Sequence, residues 1–284
     1  MPGFKGVSLY QVIAFVIGEA NKYDITTRAN SMAFSFFIAL FPAIIFLFTL
    51  IPYLPISFDF LEAFKGSTNN ILPHEAHRFF FEMLDGVIAI DRTGLRSVGF
   101  FLALFFSSSG MLTLMTGFDK TYPAFAKRSF LKKRFVALNL TILIAALFIV
   151  SLILIVFGKQ LLMAGMSHIQ DEFVSKSLIY VLRLFVTFIV IYTGITSIYR
   201  WGPSMVKKVA YWNPGALVAT SFSILTSLIF AYFVNQFGRY NEIYGSIGAL
   251  IVIMIWMQIN AFIIIIGFEL NASIAVNDNY LSKE

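Results

Sequence analysis

IGALIVIMIWMQINAFIIIIGF, Ile247 to Phe268, carries no charged side chain. At about 1.5 Å per residue it is long enough to cross the roughly 30 Å hydrocarbon core of a bilayer as a helix. Five more runs of the same kind precede it: Ser31 to Pro52, Ser97 to Phe118, Phe135 to Phe157, Ser177 to Tyr199 and Pro214 to Val234. Lipid offers no water to pair with backbone N–H and C=O groups, so such runs must be helical; a barrel would show short alternating strands instead. The expected fold is all-α, a polytopic membrane protein of six transmembrane helices plus short amphipathic interfacial helices, forming one domain over residues 1–284.

Composition fits this class. Hydrophobic residues make up 58% of the 284-residue chain and charged ones 13%, and the mean hydropathy is +0.81, values that a soluble domain with a single core does not reach. There is no cysteine, which removes disulfides, thiolate nucleophiles and Cys-ligated zinc. The stretch Ser8 to Ala20 holds Gln11 and Glu19, lacks a small-residue cleavage site and precedes a full-length span, so it reads as an interfacial helix rather than a signal peptide.

The net charge of +6 matters less than where Lys and Arg lie. With both termini inside, the inner segments hold 13 of the 21 basic residues and the outer segments 7, Arg183 falling within a span. Both termini are therefore expected in the cytoplasm, with the chain in a bacterial inner membrane. The densest block, Lys127 to Arg134, abuts the third span. Its expected role is a topology anchor that holds lipid headgroups, and nucleic acid is not an expected partner. The longest outer segment, residues 53–96, follows Pro52, which stops the first helix. Within it Ala76, Phe79, Phe80, Met83, Leu84, Val87 and Ile88 share one face at three- and four-residue spacing, predicting an amphipathic helix.

Helices in lipid associate through small residues and a few hydrogen bonds. The first span offers Ser31, Ser35, Ala39 and Ala43, and the fifth Gly215, Ala219, Ser223 and Ser227; such stripes would also permit a homo-oligomer. The second span concentrates Ser107 to Gly110, Thr113, Thr116 and Gly117, for packing or for a ligand path. Pro42 should kink the first span. Arg183, with Thr187, Gly194 and Ser197 on nearly its face of the fourth span, either lines a polar path or snorkels to the outer interface. In the sixth span Gln258 and Glu269 share one face and Asn260 and Asn271 another, about half a turn away. Polarity on two sides predicts a central helix, with Glu269 either inside the path or solvated at the cytoplasmic boundary. Asn235 to Gly248 reads as a shaped turn, in which Arg239, Asn241, Glu242 and Tyr244 either contact an anionic or polyol group or hold two helices in register.

Four stretches resemble the YihY/BrkB family of bacterial inner-membrane proteins: RANSMAFSFFIALFPAIIF (Arg28 to Phe46), GFDKTYPAFAKRSFLKKRFVAL (Gly117 to Leu138), YWNPGALVAT (Tyr211 to Thr220) and FGRYNEIYGSIGALIVIMIWMQINAFIIIIGFELNASI (Phe237 to Ile274). The resemblance runs in order along nearly the whole chain. It implies six spans and cytoplasmic termini. It also associates the chain with proteins described as virulence or serum-resistance factors, as exporters of lipids or small solutes, and under the label ribonuclease BN. It carries over no catalytic or binding residues.

Chemistry argues against an enzyme. A metal-dependent nuclease needs clustered His and Asp ligands, whereas His74, His77 and His168 fall in predicted outer segments. Ser107-Ser108-Ser109-Gly110 lacks a His in any span to serve as base. No metal and no cofactor is expected. The leading expectation is a transporter, exporter or flippase-like protein for an anionic lipid or small solute; the alternatives are a non-catalytic scaffold or envelope assembly factor and, behind it, a ribonuclease. Membrane lipids are the expected partners. Arg183, Thr187, Gln258, Asn260, Glu269, Arg239, Asn241 and Tyr244 are the candidate pathway residues, with Arg183 and Arg239 guiding a headgroup between the second, fourth and sixth spans.

Overall fold

The computed structural model describes residues 8–22, 24–50, 93–119, 121–165, 172–236 and 238–281. These form seven helices: α1 (Leu9–Lys22), α2 (Ile25–Leu50), α3 (Thr93–Gly117), α4 (Phe130–Gly165), α5 (Glu172–Trp201), α6 (Pro214–Gln236) and α7 (Gly238–Leu281). The last six are each long and apolar enough to cross a membrane, and α1 is a shorter apolar helix. The expected amphipathic helix after Pro52 lies outside the described residues, as do His74, His77 and His168.

Local chemistry sets the helix starts. Ser8 and Gln11 form a reciprocal capping box, the Gln11 N–H donating to Ser8 Oγ at 3.3 Å and the Ser8 N–H to Gln11 Oε1 at 3.1 Å. Asp24 caps α2 by accepting the Thr27 N–H at 3.1 Å and the Thr27 hydroxyl. It does so from a left-handed backbone (φ 40°), a conformation Asp tolerates better than most residues. The Thr27 hydroxyl, more than any other group, holds the Asp24 carboxyl below its ordinary range. Because of this cap, α2 starts six residues before the expected Ser31 and takes Arg28 into its first turn. The helix continues through Pro42.

A second departure lies at α7. Arg239 to Gly248 is helical rather than a shaped turn, extending α7 ahead of its apolar span, which starts at Ile251, so that each backbone group is paired within the helix. The side chains of Arg239, Asn241 and Tyr244 lie outside the described set.

The chain divides into two compact units. One comprises residues 1–39, 108–141 and 191–284, and the other residues 40–107 and 142–190. In the second, the Phe46 and Phe100 rings meet at 5.2 Å. In the first, α6 and α1 each pack on α7. Val12 of α1 packs on Ile274, with Leu270 alongside, and Glu19 accepts a 2.7 Å hydrogen bond from the Tyr122 hydroxyl. On α2 the buried face runs through Ile25, Ala29, Met32, Ala33 and Ala39, while Ser31 is exposed. The expected Ser31 stripe is thus displaced, because large and small side chains share the contact with α3. There Gly110 lets Phe36 and Ala39 approach to where its own Cβ would stand 2.9 and 3.1 Å away.

The α6 stripe packs as its spacing predicts: Gly215, Ala219 and Ser223 are buried. Opposite them is Gly267, where an added Cβ would sit 2.5 Å from the Tyr199 hydroxyl, 2.7 Å from the Gly215 carbonyl and 2.9 Å from Ala219 Cβ. Two of those neighbours cannot yield. Gly267→Val should therefore destabilise the protein by about 1–3 kcal/mol, read as a lower thermal midpoint in detergent. Gly18→Ala, with open space around it, serves as the control and should leave the midpoint near that of wild type.

Candidate functional site

The cap at Asp24 places Arg28 one turn into α2 with Ala29 and Met32 buried beside it. From there Arg28 Nη1 donates to Glu269 Oε1 at 2.9 Å, and Nη2 donates to the carbonyl of Gly117, the last residue of α3. The Glu269 side chain is 0% exposed and that of Arg28 17%. A terminal helix carbonyl has no partner within its own helix, and a guanidinium there also complements the dipole. One side chain thus joins the start of α2, the end of α3 and the C-terminal third of α7. Only Arg has a planar fork that serves a carboxylate and a carbonyl together.

Three aromatic rings pack together, two of them on the chain neighbours of Gly117 and Glu269. Phe118 stacks on Phe268 at 4.2 Å, and both meet Tyr199, at 5.9 and 6.3 Å. All three are fully buried. The Tyr199 hydroxyl donates to the Ile264 carbonyl of α7 at 2.7 Å. An ion pair in such surroundings is weakly screened, so removing either partner leaves an expensive lone charge.

A second polar cluster lies on another side of α7. Asn213 caps α6, its Oδ1 accepting the Ala216 N–H at 2.7 Å, with Pro214 at the first helical position, where the lack of an N–H costs nothing. Asn271 locks onto that cap. Its Nδ2 donates to Asn213 Oδ1 at 2.8 Å, and its Oδ1 accepts the Gly215 N–H at 3.1 Å. Asn213 Nδ2 reaches Thr196 Oγ1 on α5 at 3.5 Å and the Ala210 carbonyl at 3.1 Å. A side chain at position 215 would collide with the Gly267 carbonyl and the Asn271 amide. Glu269 and Asn271, two residues apart, point about 200° apart around the helix, so α7 presents one to α2 and α3 and the other to α6.

The expected residues meet different fates. Glu269 is not solvated: it is buried and paired, because the early start of α2 brings Arg28 within reach. Asn271 is buried, but the expected central burial does not extend to Gln258, which is exposed and donates to Asn30 Oδ1 at 2.6 Å. Asn260 is half-buried and donates to the Trp256 carbonyl of its own helix. Each amide thus donates one hydrogen bond, Gln258 across to α2 and Asn260 within α7. Thr187 is half-buried, and Gly194 and Ser197 are buried. The side chain of Arg183 lies outside the described set, as do those of Arg239, Asn241 and Tyr244. In α3, Thr113 and Thr116 donate to carbonyls one turn back, and Ser109 accepts from Arg134 at 3.2 Å. Those hydroxyls therefore have partners within the protein.

Sequence alone assigned no role to Arg28, Tyr199 or Asn213, and it marked Gly117 only as part of the small-residue cluster of the second span. Arg28 read as a loop charge because the helix was started at Ser31. The cap signal at Asp24, followed by Thr27, was available to correct that. Arg28→Met and Glu269→Leu alone should each cost about 3–5 kcal/mol, and the double variant should recover much of the loss. A double-mutant cycle on thermal or denaturant unfolding in detergent measures this. Additive single losses would mean that the two groups do not interact.

Residues 16–284 match the family described as Virulence factor BrkB. A ribonuclease-like protein, YfkH, of Bacillus subtilis (strain 168) is 30% identical over 251 residues, covering 87% of this chain and 88% of that one. A UPF0761 membrane protein of Pasteurella multocida (strain Pm70) is 33% identical over 91 residues, 32% of this chain and 29% of its own. One from Mannheimia succiniciproducens is 32% identical over 88 residues, 31% of each chain. No solved structure matches. The four stretches that carried the resemblance each supply part of the two buried clusters: Arg28, then Gly117 and Phe118, then Asn213 and Gly215, then Gly267 to Asn271. This integral membrane protein, matched over all but its first fifteen residues, belongs to the BrkB family.

Proposed function

We propose that this protein is a transporter, exporter or flippase-like protein for an anionic lipid or small anionic solute, set in the bacterial inner membrane with both termini in the cytoplasm. The observation that carries the reading is the buried Arg28–Glu269 pair, made across three helix segments of an apolar bundle. Apolar packing stabilises such a junction at least as well as an ion pair does, so stability alone gives no reason for the charges. An anionic group gives one. A phosphate or carboxylate offered to Arg28 competes with Glu269 for the same guanidinium N–H groups, and when it wins, α7 is released from α2 and α3. Binding and opening are then one event, as population shift requires.

A second reading, a scaffold or envelope assembly factor, draws support from the other cluster, where Asn271 spends its amide on Asn213 and Gly215. Neither reading assigns catalysis to the chain. The ribonuclease-like name belongs to the Bacillus relative.

Flux decides between the two. In liposomes containing labelled phosphatidylglycerol or phosphatidylcholine, wild type should move the anionic lipid faster than empty vesicles do. Arg28→Met should return the rate to within about twofold of the empty-vesicle rate, while Arg28→Lys, which keeps charge but not the fork, should fall between. Arg183→Ala in the same assay tests the pathway expected from sequence. If wild type moves neither lipid nor small anions above background, transport is wrong and the scaffold reading stands. RNA incubated with the purified protein should remain intact.

A further inference from the structure

Two linkers, residues 118–129 between α3 and α4 and residues 202–213 between α5 and α6, are built into one surface. Phe125 and Met205 form an isolated antiparallel bridge. The Ala126 N–H donates to the Ser204 carbonyl at 2.7 Å, and the Val206 N–H to the Ala124 carbonyl at 2.9 Å. Arg128 donates to the carbonyls of Trp201, Gly202 and Pro203 at 3.0–3.3 Å, so it caps the end of α5. Arg200 donates to the Val209 carbonyl and covers the Tyr211 ring at 4.3 Å. Tyr192 holds the far end, donating to the Tyr211 carbonyl at 2.9 Å with its ring 5.7 Å from Trp212.

The basic residues thus divide by type. Arg128 and Arg200 are spent on carbonyls, Arg134 on Ser109, and Lys133 on Asp119. Lys127, Lys132, Lys207 and Lys208 are exposed, and none of their four ammonium groups has an ion pair or hydrogen bond among the described residues. Between residues 118 and 213 the two linkers contain a single acidic residue, Asp119, already paired. Interleaved with the four lysines are apolar side chains left bare: Phe130 (68% exposed), Leu131 (78%), Val206 (66%) and Trp212 (81%). The surface flanks the ends of two spans, since the apolar part of α4 starts at Phe130 and that of α5 stops at Trp201. It therefore lies at the boundary between hydrocarbon and water.

We propose that this clamped pair of linkers is a docking surface for an anionic phospholipid. The lysines take the phosphodiester, and Phe130, Leu131, Val206 and Trp212 seat among the glycerol backbone and upper acyl carbons. Ammonium groups near an anionic leaflet attract headgroups, and amphipathic aromatic rings favour the same depth. The expected single anchoring block from Lys127 to Arg134 becomes a composite surface, half of it drawn from residues 202–213, and three of the block's five charges are taken up by partners within the protein. This surface goes beyond the transport reading and holds whether or not the protein moves lipid.

Tryptophan quenching tests it. With Trp201→Phe and Trp256→Phe, Trp212 is the sole reporter of the three tryptophans. In reconstituted vesicles at low ionic strength, brominated phosphatidylglycerol should quench Trp212 with an apparent affinity at least about threefold that of brominated phosphatidylcholine at equal mole fraction. Replacing all four lysines by Gln should bring the two lipids to parity, and replacing all four by Arg should keep the preference. Parity in the all-lysine protein, the result expected if an acidic soluble protein were the partner, would overturn the proposal. So would a preference that survives the Gln changes. Should the Gln variant fail to fold, raising the salt serves instead: the preference must collapse as the Debye length shrinks, and its persistence would sink the idea.

Discussion

A bilayer supplies no hydrogen-bond partner to a polar group, and this constraint organises the whole molecule. Every backbone N–H and C=O inside the apolar slab has to be met from within the chain, which fixes the helical form of α2 to α7. The same rule governs the helix ends, where internal partners run out. Asp24, Asn213 and the Arg128 guanidinium each sit at such an end and supply what the backbone lacks.

The polar interior follows from that rule at the level of side chains. Lipid gives helices no reason to prefer each other over acyl tails, so association rests on close backbone approach and on polar pairs. Both occur on α7. Gly267 and Gly215 bring α6 and α7 so near that a methyl group would collide, and Asn271 then reaches the cap of α6. On another side Glu269 meets Arg28 and, through it, the end of α3. Close packing enables each polar contact, and each polar contact orients the helices that pack.

The two clusters differ in what can disturb them. Asn213 and Asn271 are neutral and mutually satisfied, so an incoming solute offers little that they lack. Arg28 and Glu269 carry charge, and an anion is a direct rival for the guanidinium. That asymmetry sets a neutral amide clasp on the α6 side of α7 against a charged one on the α2 and α3 side. Near the span ends Arg128, Arg134 and Arg200 make internal contacts, whereas Lys127, Lys132, Lys207 and Lys208, compact and strongly hydrated charges, are exposed and Lys133 pairs with Asp119.

Much of this was legible in residue order. Runs such as Ile247 to Phe268 determined the number and helical nature of the spans, because length and apolarity leave a segment in lipid one form. The stripe from Gly215 to Ser223 determined which face of α6 packs, because four-residue spacing lines up on a helix whatever its neighbours. The partners were not legible. Arg28 and Glu269 are 241 residues apart, and nothing local marks either for the other. Sequence left Glu269 open between the path and a solvated boundary, because depth along a helix is visible in sequence while the presence of a counter-charge on another helix is not. Gln258 erred the other way, since its partner Asn30 satisfies it at an exposed position. Tertiary structure alone decided these pairings, because an ion pair or amide bond depends on distances of about 3 Å set by how helices far apart in the chain lie side by side.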